Sequence, residues 1–125
     1  MQLKVLFIDD SKKNIQYLKS MFCAIGNIQI IGQAFTRNEA EFFLKSEIID
    51  LVIMDVFLRN ENVLDLVSFI KNNYKKTEII VLSNYADIFY KKKCKSLGAF
   101  AFFDKSYEFE KIPECLQKII LTKNK

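Results

Sequence analysis

Short apolar runs with strand character alternate along this chain with longer stretches whose apolar residues recur at helical spacing. Leu3 to Ile8 reads as the first strand, and Ile15, Leu18, Phe22 and Ile25 mark a helix that Gly26 is placed to stop. Ile28 to Phe35 reads as the second strand. Thr36 and Glu39 have the spacing of a capping box for a helix running to about Ser46, and Leu51 to Met54 is a third strand of continuous apolar character. After a loop from Asp55 to Glu61, the residues Val63, Leu66, Val67 and Ile70 mark a third helix and Glu78 to Leu82 a fourth strand. The same unit recurs as a helix over Ala86 to Leu97 ended by Gly98, a strand over Ala99 to Phe103, and a last helix carrying Phe109, Ile112, Leu116 and Ile119. Pro113 should make the first turn of that helix irregular. Parallel strands need crossovers and those crossovers are right-handed, so five β/α units predict an α/β fold, a doubly wound five-stranded parallel sheet with helices on both faces. No linker, repeat or second domain is visible, and residues 1–125 are expected to form one domain.

Composition removes whole classes of chemistry. The chain has no histidine, which excludes Ser/His/Asp and Cys/His triads, zinc sites built on histidine and a phosphohistidine carrier role. Its three glycines, Gly26, Gly32 and Gly98, cannot write a dinucleotide fingerprint or a P-loop. Half of the residues are hydrophobic, enough at this length to bury roughly two thirds of the unfolded surface without a metal or disulfide staple. Cys23, Cys94 and Cys115 lack metal-ligand spacing and sit among apolar residues, which predicts buried, reduced thiols and a cytoplasmic location. No run of 18 apolar residues exists, so no membrane insertion is expected.

In an open parallel sheet, function collects at the carboxyl ends of the strands. Here the first strand ends in Asp9 and Asp10, the third in Asp55 and the fourth in Ser83, while Asp104 and Lys105 follow the fifth. Singly, each has an ordinary explanation as a turn former, helix cap or solvated lysine. Together, carboxylates on adjacent strand ends repel one another and stay ionised only with a cation among them. Hard oxygen ligands suit Mg²⁺ partnered by phosphoryl oxygens, and an accessible Asp can serve as a phosphoryl acceptor.

FIDDS at Phe7 to Ser11, LVIMD ending at Asp55, IIVLSNYAD around Ser83 and LGAFAFFDKS from Leu97 to Ser106 together resemble the receiver domain of two-component response regulators. The resemblance runs from about Leu3 to Leu121 and implies the flavodoxin-like, CheY-like (βα)5 arrangement. It further implies that Asp55 accepts phosphate from a phosphohistidine on a histidine kinase or histidine phosphotransfer protein. Asp9, Asp10, Asp55 and the Phe57 backbone carbonyl would bind Mg²⁺, Lys105 would pair with the phosphoryl oxygens, and Ser83 would swing to hydrogen-bond one of them. Phe102 stands at the place of the family's rotating aromatic switch. The chain departs from the family pattern at Arg59 and Val63, where Pro and Gly are usual, and at Ser106, which replaces a frequent proline and should leave its peptide bond trans. The loop geometry is therefore not carried over from the family.

The resemblance also implies that Phe57 and Tyr85, two residues after Asp55 and two after Ser83, stand at the positions that flank the attack trajectory in the family, and their bulk is expected to hinder the water that hydrolyses an aspartyl phosphate. Ending soon after its fifth helix, the chain reads as a single-domain response regulator acting by phosphorylation-dependent protein binding or phosphorelay. Its downstream protein target is expected on the face of the fourth helix, fifth strand and fifth helix. That face carries Lys91, Lys92, Lys93 and Lys95, which read first as a solvated helix face; as a binding surface they suit an acidic protein better than nucleic acid, since Arg37 and Arg59 are the only arginines. Two alternatives stand beside this reading. A dehalogenase-like phosphatase would need an acid where Phe57 stands, so the chain is not expected to be an enzyme beyond its own phosphorylation and dephosphorylation. A degenerate receiver would act as a phosphorylation-independent scaffold, motivated by Arg59 and Val63.

Overall fold

The computed structural model of the chain describes residues 2–59, 61–84 and 88–123. Alternation of apolar residues along each strand decides the architecture. In β1 (Leu3–Ile8), Leu6 and Ile8 face one side of the sheet while Leu3, Val5 and Phe7 face the other. The same split recurs in β3 (Leu51–Met54) and β6 (Glu78–Ser83), so both faces are apolar and both must be covered. One core is closed by α2 (Arg37–Ser46), α3 (Asp65–Asn73) and α4 (Ile88–Ser96), with Ala40, Leu66, Val67, Ile70 and Cys94 buried against Val52, Val81 and Phe102. The other is closed by α1 (Lys12–Ile25) and α5 (Ile112–Lys123), which bury Ile15, Leu18, Phe22, Leu116 and Ile119 against Phe7, Ile53 and Leu82.

With β2 (Ile28–Ala34) and β7 (Ala101–Asp104), the parallel sheet has the order β2-β1-β3-β6-β7. The chain reverses its direction of strand addition between β1 and β3, which opens a crevice at their carboxyl ends. Local signals set the element boundaries. Ser11 caps α1 by accepting from the Asn14 N–H, and α1 stops at Gly26, whose φ of 80° is open to glycine and costly for other residues. Thr36 caps α2 as its sequence predicts, but the Glu39 carboxylate reaches one residue further back than a capping box requires, taking the Phe35 N–H at 2.7 Å. Gly32 in β2 lies under the Phe43 ring of α2, so close that an added Cβ would stand 2.6 Å from Cζ. Pro113 falls at the start of α5, preceded by a single 3₁₀ turn (Phe109–Lys111), which is the expected irregular entry.

Four expectations need correction. Val63, read with the third helix, precedes α3 and bonds its N–H to the Val56 carbonyl instead. Part of the loop from Asp55 to Glu61 is an antiparallel ladder, with Phe57 paired to Asn62 and Leu58 to Glu61 in β4 (Phe57–Leu58) and β5 (Glu61–Asn62). The last strand begins at Ala101 rather than Ala99, because the Ala99 N–H bonds back to the Cys94 carbonyl and finishes the helix. Cys23 is exposed, since the face of α1 that packs is set by Ile15, Leu18 and Phe22; Cys94 and Cys115 are buried, and burial pushes both thiols up to about 11. Among the described residues no helix is long and apolar enough to cross a membrane.

Candidate functional site

The backbone of each strand-end residue is still tied to the sheet. Asp9 N–H donates to the Ala34 carbonyl at 3.0 Å, Asp55 N–H to Ile8 at 2.9 Å and Lys105 N–H to Ser83 at 3.0 Å. These bonds extend the ladders past the last paired residues, so the side chains leave rigid backbone rather than loose loops. Gln33 of β2 adds a side-chain bond from Nε2 to the Asp9 carbonyl at 2.8 Å.

Lys105 crosses the crevice. Its Nζ lies 2.8 Å from Asp9 Oδ2 and 2.8 Å from Asp55 Oδ2, and all three residues are buried. The remaining oxygens take main-chain donors: Ser11 N–H to Asp9 Oδ1 at 2.9 Å and Phe57 N–H to Asp55 Oδ1 at 3.0 Å. Burial raises the Asp9 pKa, opposed by the adjacent ammonium. Burial alone would lower the Lys105 pKa, but the Asp9 and Asp55 carboxylates outweigh it and raise the value above the ordinary lysine range. Of the strand-end acids expected from the sequence to need a cation among them, Asp9 and Asp55 thus have the lysine as their counter-charge.

Asp10 stands apart. It is exposed, and its Oδ2 accepts the Arg59 N–H at 2.8 Å. Among the described residues no group of three acids, cysteines or histidines is gathered closely enough to hold a metal ion. The donor set nevertheless fits one chemically: hard carboxylate oxygens at neighbouring strand ends are the ligands a divalent cation of the Mg²⁺ type takes. In this arrangement the oxygens of Asp9 and Asp55 face the lysine and that of Asp10 faces a backbone amide.

Ser83 is fully buried at the end of β6, beside β7 with Asp104 opposite. Phe102 points into the core shared with Val81, Cys94 and Ala99, which is the inward orientation of the residue expected to act as a switch. The Phe57 ring meets Tyr90 of α4 edge to face, with centroids 5.8 Å apart. Tyr85, expected beside Phe57 as a brake on hydrolysis, lies outside the described residues. The Lys105–Ser106 peptide is trans.

Several contributors were not foreseen from the sequence. Arg59 and Gln33 act through a main-chain N–H and a side-chain amide, and nothing in the local pattern distinguishes them from ordinary polar residues. Glu108 ties the end of β7 to its surroundings: it accepts the Asp104 N–H at 2.9 Å, pairs with Lys111 at 2.8 Å and reaches Lys91 of α4 at 3.5 Å. Its position four residues after a strand-end acid is the one signal that could have found it. Val63 departs from the family pattern for a visible reason: its side chain is in the core and its N–H closes the loop onto the Val56 carbonyl at 2.6 Å.

Comparison with known proteins gives a consistent result. The family model of the response regulator receiver domain matches residues 5–117. The chain is 28% identical over 116 residues to the transcriptional regulatory protein DcuR of Escherichia coli K12, covering 91% of this chain and 48% of that protein. It therefore spans about half the length of the curated relatives it matches. A response regulator from Thermotoga maritima has a similar structure, with a TM-score of 0.84, 30% identity and coverage of 96% of this chain and 98% of that one. A Burkholderia pseudomallei response regulator, solved with a phosphorylated aspartic acid, calcium ion and citrate, shares the fold at a TM-score of 0.80 and 24% identity, covering 92% of this chain and 66% of that one.

Proposed function

Because the chain belongs to the response regulator receiver family, we propose that it accepts a phosphoryl group on Asp55 from a phosphohistidine of a partner kinase or phosphotransfer protein. It then signals in the cytoplasm by phosphorylation-dependent protein binding or by passing the group on. The observation that carries this reading is the bridge from Lys105 Nζ to Asp9 and Asp55, which puts a cation within hydrogen-bond distance of the acceptor carboxylate at the mouth of the sheet's crevice. In the transfer, an Asp55 oxygen forms the new bond to phosphorus, the phosphorus–nitrogen bond of the donor breaks, and its electron pair returns to the imidazole, which takes up a proton. The product is a mixed anhydride.

The residues around Asp55 have separable roles. The Phe57 N–H on Oδ1 fixes the carboxylate plane, and Lys105 neutralises charge that gathers on the phosphoryl oxygens. Ser83 supplies a hydroxyl at the neighbouring strand end, and its movement draws on the space Phe102 governs. Asp9, Asp10, Asp55 and the Phe57 carbonyl would hold Mg²⁺, which supplies charge neutralisation between the acceptor and the incoming group. The face of α4, β7 and α5 is the proposed output surface, with Lys92, Lys93 and Lys95 exposed for an acidic partner.

Intact mass after incubation with acetyl phosphate, with and without Mg²⁺, tests the proposal on the wild type and on Asp55→Asn. One phosphoryl adduct that requires Mg²⁺ and is lost in the variant is expected; no adduct under any condition would return the chain to the phosphorylation-independent scaffold. Following the same adduct over time tests the shielding role of Phe57, since Phe57→Asn should shorten its lifetime. An unchanged or longer lifetime would assign that ring to packing on Tyr90 alone.

A further inference from the structure

We infer that the main-chain N–H of Arg59 is a latch on Asp10 that competes with a divalent cation and so sets how tightly the crevice takes one. The inference rests on the receiver reading above. Asp9 and Asp55 share the Lys105 ammonium and take N–H groups two residues further along their own strand ends, whereas the Asp10 carboxylate accepts an N–H from a segment distant in the chain. That donor belongs to a residue 49 positions away in the chain, in the short turn between β4 and β5.

Two features make Arg59 specific to this role. Its φ is 48°, in the left-handed region that most residues avoid, and it is exposed, so no burial of its side chain accounts for the conformation. Only two residues separate the paired Leu58 and Glu61, and so tight a hairpin connection calls for positive φ; in that conformation the Arg59 N–H meets the Asp10 carboxylate, an acceptor that holds an N–H more strongly than water or a neutral carbonyl does. Arg59 is also a residue type that can make the bond: proline has neither the N–H nor access to positive φ.

A cation that joins Asp10 to Asp9 or Asp55 draws on the same carboxylate whose Oδ2 takes the Arg59 N–H, and no three-acid cluster is assembled among the described residues. Binding of the ion and closure of the latch therefore oppose each other, and by reciprocity the ion loosens the β4–β5 turn. The Phe57 ring of that turn packs on Tyr90, so the loosening occurs next to α4.

Calorimetric titration of MgCl₂ into the wild type, Arg59→Pro and Arg59→Gly tests this without any phosphodonor. Arg59→Pro, with no N–H to give, should bind Mg²⁺ about tenfold to a hundredfold more tightly, the scale of one hydrogen bond to a charged group. Arg59→Gly keeps the N–H and takes positive φ freely, so its affinity should match the wild type. In the wild type, the amide proton resonance of Arg59 should move upfield as Mg²⁺ saturates, reporting loss of its carboxylate partner; this readout stands even where the proline variant fails to fold. Equal affinity in a folded Arg59→Pro, or an Arg59 amide unmoved at saturation, overturns the latch while leaving the metal site intact. Absence of Mg²⁺ binding in all three proteins overturns the latch and the metal part of the receiver reading together.

Discussion

With one ammonium 2.8 Å from two carboxylates, the crevice is a buried three-charge cluster whose stability depends on its single cation. Removing Lys105 would leave Asp9 and Asp55 facing each other without a counter-charge, so Lys105→Met should destabilise the fold by about 3 kcal/mol at pH 7. The pH dependence follows from the directions of the shifts. Lys105 has a raised pKa, so its contribution is whole below the ordinary lysine range and fades as pH rises through the raised value. Asp9, also raised by burial, protonates more readily in the folded chain than in the unfolded one, so a variant without the lysine recovers stability as the solution is acidified. Urea denaturation at pH 7 and at about pH 4.5 should show the deficit of Lys105→Met shrinking at the lower value. A deficit that does not change with pH would assign the effect to lost side-chain packing.

Among the elements, the join of β7, α4 and the 3₁₀ turn before α5 depends on one carboxylate. Glu108 takes the Asp104 N–H and pairs with Lys111 and Lys91, and these partners, Lys111 first, hold its pKa below the ordinary glutamate value. A depressed carboxylate contributes above the ordinary value and loses its contribution as pH falls through its own. Glu108→Gln should therefore lower Tm by about 1–4 °C near neutrality, the range of partly exposed ion pairs, with the difference shrinking as pH falls below the ordinary glutamate range. Thermal melts of the two proteins across that range check both the size and the sign. Between α2 and β2 the Phe43 ring lies over Gly32, so a methyl group at that position would require the ring to shift.

For the whole molecule, the sheet is common to two apolar cores, one under α2, α3 and α4 and the other under α1 and α5. Every central strand contributes residues to both, so neither core can come apart without exposing the other. Leu66→Ala on one face and Leu116→Ala on the other should each cost about 2–4 kcal/mol. Because they lie on opposite sides of the sheet with no shared partners, the double variant should show the sum to within about 0.5 kcal/mol. Far-UV circular dichroism and tyrosine fluorescence should report one coincident transition in each variant. Separate transitions by the two probes would mean that the faces unfold independently.

The amino-acid sequence by itself determined the order of the β/α units, the stops at Gly26 and Gly98, the cap at Thr36 and the presence of Asp9, Asp10, Asp55, Ser83 and Lys105 at strand ends. These features are legible because each is written in residues a few positions apart, in the period of apolar side chains or the chemistry of a single turn. Tertiary structure alone decided that Lys105 is the cation between Asp9 and Asp55, that Asp10 turns to the Arg59 amide, that Phe57 packs on Tyr90 and that Cys23 faces out. The reason is physical: those outcomes depend on which of several equivalent carboxylates lies nearest a donor some fifty residues away. That distance is set by strand register and the rotation of helices on the sheet, and no local pattern encodes it.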